Sequence, residues 1–213
     1  MMFFLPILAL LAYDPTAYPL NNNEWSFPLM EIIHIAGFAL SIGTICVVDM
    51  RLLGVGIFHE APSQALKDTA MWSLAGLLLV PITGFAIFFS DPVMYMHNQS
   101  FRFKVAVLTI AIVYNYTIRR WAARTGPSGA TAASIGAAIL LLGGLALFIW
   151  DLHGGFGVAG VAAIIAGGLA IALFPSMRKR PEGSWGPAHA LIGAVSVLLW
   201  ISVVFGGLFI AFV

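Results

Sequence analysis

Residues 25–54, WSFPLMEIIHIAGFALSIGTICVVDMRLLG, form the segment around which the rest of the chain is arranged. This apolar run is longer than the about 20 residues that a helix needs to cross the hydrocarbon core of a bilayer. It nevertheless carries Glu31 and His34 near its start, and Asp49 and Arg51 near its end. Ionisable side chains are costly within a membrane span, so their presence here indicates a functional or structural role.

The amino-acid composition excludes an ordinary soluble domain. Of 213 residues, 61% are hydrophobic and 9% are charged, whereas soluble domains carry about 25% charged residues. The net charge of +1, with no basic patch beyond short loop clusters, gives no indication of a nucleic-acid partner. The single cysteine, Cys46, allows neither an internal disulfide nor a cysteine-based zinc site. The sequence also has no glycine-rich loop of the kind that holds nucleotide phosphates.

The hydrophobic pattern predicts an all-α, polytopic bundle of six transmembrane helices. Backbone groups in lipid must form hydrogen bonds within their own segment, which helices of this length do. The predicted spans are residues 27–48, 69–90, 103–118, 131–150, 156–174 and 188–211. We assign residues 25–213 to this transmembrane domain and residues 1–24 to an N-terminal segment at the membrane interface, in which residues 1–12 are expected to form a short helix. The third span is the shortest and the most polar of the six.

The basic residues predict the orientation of the bundle, because loops on the cytoplasmic side are enriched in Lys and Arg. Eight of the ten Lys and Arg residues follow spans one, three and five. Only Arg102 and Lys104 fall on the other side. We therefore predict a multi-pass protein of the bacterial inner membrane, with both termini outside.

A short pattern recurs at the ends of the even-numbered spans: TGFAIFFSD (83–91), GGLALFIWD (143–151) and GGLFIAF (206–212). Glycine at these positions allows helices in a membrane to approach closely. The pattern fits three helical hairpins around a common axis, although similar sequences also arise by chance in apolar helices.

Placing the polar residues by depth separates two groups. His34 lies about seven residues into the first span, or roughly 10 Å, and Glu31 lies one turn earlier on the same face. The other polar and sulfur-bearing candidates of the outer half are Met94, Met96, His97, Lys104, Asp151 and His153. The inner group is Asp49, Arg51, His59, Asn115, Arg119 and His189.

This sorting excludes a haem shared by His34 and His189, because the two residues enter the membrane from opposite sides. Three interpretations of the outer group stay open. The first is a b-type haem ligated by His34, with His153 or His97 as the second axial ligand. The second is a copper site, since Met94, Met96 and His97 are residue types that bind copper. The third has no cofactor: Glu31 pairs with Lys104 or His34, and the methionines only pack.

The inner group has a simpler interpretation. Asp49 and Arg51 are expected to end the first span and anchor it at the head groups, with Arg119 or Arg120 as partners of Asp49. Pro81 is expected to kink the second span and open a cavity in the outer half.

The motif W-x-F-P-L-x-E-x-x-H through D-x-R-L-L-G, in residues 25–54, resembles an uncharacterised family of bacterial six-span inner-membrane proteins. The resemblance implies the fold and topology, and no activity. The chain departs from the family pattern at Gly207, where we expect arginine, and near Ile118, where we expect histidine. A more distant similarity, to copper-resistance D-type proteins and the membrane protoporphyrinogen oxidase, depends on the early histidine and on Phe103 and Lys104. It implies haem or copper.

The sequence therefore predicts a membrane redox subunit that binds b haem near the outer face through His34. Such a subunit would relay electrons between a membrane or periplasmic protein partner and the quinone pool. The alternatives are an accessory subunit of a larger membrane complex, without a cofactor, and a copper-handling membrane protein. No catalytic residue is assigned.

Overall fold

The computed structural model of the protein describes residues 14–55, 61–124 and 186–212. Throughout these ranges the chain is helical, with no strand. The helices are α1 (Ser26–Leu53), α2 (Pro62–Phe88), α3 (Pro92–His97), α4 (Gln99–Tyr114), α5 (Arg120–Arg124) and α6 (Pro187–Leu208). Single 3-10 turns at Pro15–Ala17, Pro19–Asn21 and Phe209–Phe212 flank them.

Four segments among the described residues are long and apolar enough to cross a membrane: Ser26–Leu53, Pro62–Phe88, Gln99–Arg124 and Ala188–Phe212. They correspond to predicted spans one, two, three and six, which confirms the all-helical class for this part of the chain. Their apolar character indicates a lipid bilayer as the environment. Predicted spans four and five, and the helix expected at residues 1–12, lie outside the described residues.

The third span is longer than predicted. A π-helical turn at Asn115–Arg119 joins α4 to α5, so one continuous segment runs over Gln99–Arg124. We predicted an end at residue 118. The structure differs because the polar side chains of Asn115 and Arg119 are buried at 2% exposure and form hydrogen bonds within the bundle.

Local signals explain where the helices begin and end. Proline occupies the first turn of α2, α3 and α6, where its missing N–H costs nothing. Asp91 accepts a hydrogen bond from the Met94 N–H at 3.0 Å, and Asn98 accepts one from the Phe101 N–H at 3.0 Å. These side chains cap α3 and α4. After α1, Gly54 takes a left-handed conformation with φ of 74°, which ends the helix.

Glycine allows α1 and α2 to pack closely against each other. A Cβ atom at Gly76 would lie 2.6 Å from the Ser41 backbone nitrogen and 2.7 Å from the Gly37 carbonyl oxygen. Real atoms do not approach that closely, so any larger residue at position 76 would push the two helices apart. The small-residue contact predicted for membrane helices is therefore present here.

The four long segments run up and down, so the bundle has two ends. At the His34 end, the start of α1 meets Thr83 near the end of α2 and Lys104 near the start of α4. At the Asp49 end, Leu52 of α1 packs with residues from the start of α2, from α5 and from the start of α6. The members of that cluster used below are Ala65, Leu66, Ala122, Ala123 and Ile192.

Candidate functional site

The candidate site lies at the His34 end, where three helices bring polar side chains together. His34 on α1 is buried, with 9% of its surface exposed. Its Nδ1 atom lies 2.7 Å from Thr83 Oγ1 on α2. Its Nε2 atom lies 3.5 Å from Lys104 Nζ on α4. The edge of its ring meets Phe38 one turn later on α1, with the ring centroids 5.0 Å apart.

The bonding of Thr83 fixes the tautomer of the His34 ring. The Thr83 hydroxyl donates its hydrogen to the backbone carbonyls of its own helix, at 2.7 Å to Leu79 and 3.2 Å to Val80. The Lys104 ammonium can only donate toward Nε2, so a neutral ring carries its hydrogen on Nδ1 and the Thr83 oxygen acts as an acceptor toward it. His34 Nδ1 therefore carries the proton, and Nε2 presents a lone pair toward Lys104.

Lys104 is a partly buried cation without a carboxylate partner among the described residues. Its ammonium group has the long contact to His34 Nε2 and lies 5.0 Å from the centre of the Phe38 ring. Glu31 is exposed and acts on Lys104 through space rather than through an ion pair. The direct pairing of Glu31 with Lys104 or His34 that we considered from the sequence is not formed in this arrangement.

Glycines at the ends of α2 and α6 make room for these side chains. A Cβ atom at Gly84 would lie 3.2 Å from His34 Cε1. One at Gly206 would lie 3.1 Å from Lys104 Cβ, and one at Gly207 would lie 3.4 Å from Lys104 Nζ. All three glycines belong to the recurring motifs at 83–91 and 206–212, and the close helix approach predicted for these motifs is seen at Gly206, where the added Cβ would lie 3.2 Å from Lys104 Cα. The third copy, 143–151, lies outside the described residues.

The surroundings of His34 do not fit a haem ligand. The Nε2 lone pair is suitable for a metal, and Thr83 holds the other nitrogen as an outer partner would. However, the Lys104 ammonium occupies the approach to Nε2 at 3.5 Å, and Gly206 of α6 packs against the Lys104 stem. This positive charge also opposes a bound cation. A haem ligated by His34 remains a prediction from the sequence alone.

The structure does not gather the predicted copper residues on one surface. Met94 is 43% exposed on α3, whereas Met96 is 9% exposed and belongs to the buried side of the same helix. His97 is exposed, and its Nδ1 bonds the Val93 carbonyl oxygen at 2.8 Å. No group of three or more His, Cys, Asp or Glu side chains placed to hold a metal occurs among the described residues. His153 and Asp151 lie outside them.

The separation predicted between His34 and His189 is confirmed. His189 is in the first turn of α6, at the Asp49 end, where Gly193 approaches the Asp49 carbonyl oxygen. The two histidines therefore lie at opposite ends of the bundle.

The prediction that Asp49 anchors α1 at the head groups is wrong, because Asp49 is fully buried at 0% exposure. Its predicted pairing with Arg119 is confirmed: the Arg119 Nε–H donates to Asp49 Oδ1. Arg119 also donates to Asn115 Oδ1 and to the Ile45 carbonyl oxygen, each at 2.6 Å. A buried arginine with three acceptors is a structural crosslink between α1 and the π-helical turn.

Thr83 and Phe38 are the site residues that sequence reasoning did not single out. A threonine in an apolar helix usually bonds its own backbone, so its type alone does not indicate a partner. The available signal was the TGF motif, because it lies at the outer end of the second span, at about the same depth in the membrane as His34. Comparisons with known proteins add no relative, since no family model matches the chain and no curated protein or solved structure is significantly similar to it.

Proposed function

We propose that the chain is a membrane subunit of a redox complex, and that it binds the head group of a quinone at the His34 end. The observation that carries the proposal is the pair formed by His34 Nε2 and Lys104 Nζ, 3.5 Å apart. One of these atoms accepts a hydrogen bond and the other donates. Such a pair complements a quinol hydroxyl, which needs one acceptor and one donor, and the carbonyl oxygen of the oxidised quinone, which needs a donor.

The position of the pair suits a ligand that arrives through the lipid. Ionisable groups inside a membrane bundle are functional candidates by default, and quinones are apolar molecules that diffuse within the bilayer. Phe38 adds an aromatic wall beside both polar groups. Burial also strengthens the interaction of Lys104 with an oxygen that becomes negatively charged during electron transfer.

Proton transfer follows from the same arrangement. A quinol that is oxidised releases two electrons, which pass to a protein redox partner, and two protons. The first proton goes from the bound hydroxyl to His34 Nε2, while Lys104 holds the oxygen. The second leaves the far hydroxyl for water at the membrane surface. Quinone reduction runs these steps in reverse.

The test is the quinone content of protein purified in mild detergent, measured by solvent extraction and chromatography. We expect the wild type to retain quinone. We expect Lys104→Met to retain at least about tenfold less, since hydrogen bonds from charged donors contribute about 1.5–3 kcal/mol. Lys67→Met, which removes an exposed lysine at the other end, is the matched control. Equal retention by both variants, or no quinone in the wild type, would rule the proposal out.

An absorption spectrum of the same preparation, oxidised and then reduced with dithionite, separates the alternatives. A Soret band that is lost in His34→Ala and kept in His189→Ala would favour the haem prediction. Copper detected by metal analysis would favour the copper-handling alternative. Stable protein partners with neither quinone nor metal would favour the accessory subunit.

A further inference from the structure

At the Asp49 end, three basic side chains stand on neighbouring helices without an anionic partner among the described residues. Lys67 on α2 and Arg124 on α5 are exposed, and Arg120 on α5 is partly buried. The two helices contact each other through the apolar cluster that includes Leu66 and Ala122. All three lie at the Asp49 end of the bundle: Lys67 is near the start of α2, and Arg120 and Arg124 are in α5. We refer to Lys67, Arg120 and Arg124 as the basic patch.

Acidic groups in the described ranges do not neutralise the basic patch. Asp49 already forms an ion pair with Arg119. Asp68 is exposed, and its carboxylate accepts a hydrogen bond from Gln64 at 2.9 Å. The Nε atom of Arg120 is buried and has no hydrogen-bond partner in the described part of the chain. The patch therefore offers net positive charge.

Arg120 is held in place before any ligand arrives. Its guanidinium lies over the Tyr116 ring, 4.2 Å from the centroid, and stacking of this kind leaves the N–H edge of the group available. Arg124 follows four residues later, which places it on the same face of the helix one turn further on. Two guanidinium groups one turn apart suit the oxygens of a phosphate group.

Large apolar side chains lie beside the basic patch and, on α2, at a deeper level. On α2, Met71 and Trp72 follow Lys67 by about one turn, roughly 6 Å further into the bundle, and are 78% and 59% exposed. On α5, Trp121 is 47% exposed beside Arg120. The basic patch and the exposed apolar side chains next to it complement a molecule with a negative head group and hydrocarbon tails.

We propose that the basic patch binds the phosphate group of an anionic phospholipid, whose acyl chains pack along Met71, Trp72 and Trp121. Two observations favour a lipid over a soluble acidic partner. The apolar surface continues directly from the charged rim, and the helices that carry it are long enough to cross a membrane. Basic residues at the cytoplasmic surface attract anionic lipids by about 1 kcal/mol each. The proposal does not depend on the function assigned to the His34 end.

Native mass spectrometry of the full chain in detergent tests this proposal, with phosphatidylglycerol and phosphatidylcholine titrated separately. We expect tighter binding of phosphatidylglycerol. Arg120→Gln and Arg124→Gln should each weaken that binding about fivefold, and binding of phosphatidylcholine should not change. Arg102→Gln removes the same charge near the start of α4, at the opposite end of the bundle, and should leave the affinity unchanged.

Three results would overturn the proposal. They are equal affinity for the two lipids, an equal loss in Arg102→Gln, and displacement of phosphatidylglycerol by millimolar inorganic phosphate, which would indicate a site for a free anion. Lys67→Gln provides a second variant if Arg120→Gln fails to fold, because Lys67 is exposed and glutamine keeps most of its length. Circular dichroism identifies variants that have lost their helices.

Discussion

Thr83 gives its only hydroxyl hydrogen to its own helix, and this choice controls the chemistry of His34 on the neighbouring helix. The ring nitrogen that faces Thr83 must carry a proton, which leaves the other nitrogen free to accept one. Such control needs no charged residue and no conspicuous motif. It is visible only when the two helices are placed side by side.

The first prediction concerns Thr83. Thr83→Val keeps the shape of the side chain but leaves the buried His34 Nδ1–H without its acceptor, so we expect a loss of about 1–3 kcal/mol in the free energy of unfolding. We also expect a mixture of His34 tautomers, visible as a change in the ¹⁵N chemical shifts of the ring. Thr83→Ser retains the hydroxyl and should behave like the wild type. Unchanged ring shifts in Thr83→Val would show that Thr83 does not position His34.

The same residues show what could be predicted from the sequence. The depth of His34, its separation from His189 and the pairing of Asp49 with Arg119 followed from hydrophobic runs and charge. The burial of Asp49 could not be predicted in this way. An aspartate close to an arginine, here Arg51, near the end of a span is also the pattern of residues that anchor a helix at the membrane surface. The role of Thr83 could not be predicted either, since it depends on which way one hydroxyl hydrogen points.

At the scale of the helices, packing between α1 and α2 depends on small residues whose spacing the sequence shows but whose partners it does not. Gly76 contacts backbone atoms of Ser41 and Gly37. In contrast, a methyl group added at Gly43, on the same helix as those two residues, would have nothing within 4 Å. Gly76 and Gly43 look equivalent in the sequence. Only the atoms that surround each glycine determine which one is required for close packing of the two helices.

The second prediction compares these two glycines. Gly76→Ala should destabilise the protein by about 1–3 kcal/mol, because its methyl group would overpack the contact with backbone atoms that cannot move aside. Gly43→Ala should stabilise it by about 0.5–1 kcal/mol, because alanine is a better helix former than glycine and the site is open. Unfolding in mixed micelles by titration with a denaturing detergent measures both. Similar effects in the two variants would contradict the packing at Gly76.

For the molecule as a whole, the alternation of the four described spans agrees with an up-and-down bundle, while the number of spans and the side on which each end lies remain predictions. The basic residues of the Asp49 end predict that this end faces the cytoplasm. The apolar runs were sufficient to predict helices. They could not predict how the helices pair, because hydropathy is insensitive to which face of a helix meets which neighbour.

The third prediction is therefore topological. In a Cys46→Ser background, Glu24→Cys should react with a membrane-impermeant maleimide added to intact cells, and Lys67→Cys should react only after the membrane is opened. Both positions are exposed on the protein, so a difference in labelling reports the side of the membrane. Reaction of Lys67→Cys in intact cells would reverse the orientation, and with it the expected location of the lipid site.

The polar contacts at the two ends of the bundle also have a mechanical consequence. His34 meets Lys104 and Asp49 meets Arg119, and each pair is separated by 70 residues along the chain. The equal offset means that α1 and the segment Gln99–Arg124 run in parallel. They are joined by two polar contacts, roughly 22 Å apart along α1. Sliding one helix along the other would break both polar contacts together. Because α1 packs mainly against α2 and α6 rather than against this segment, the two polar contacts and α6, which packs against both, are what hold the two helices at a fixed height.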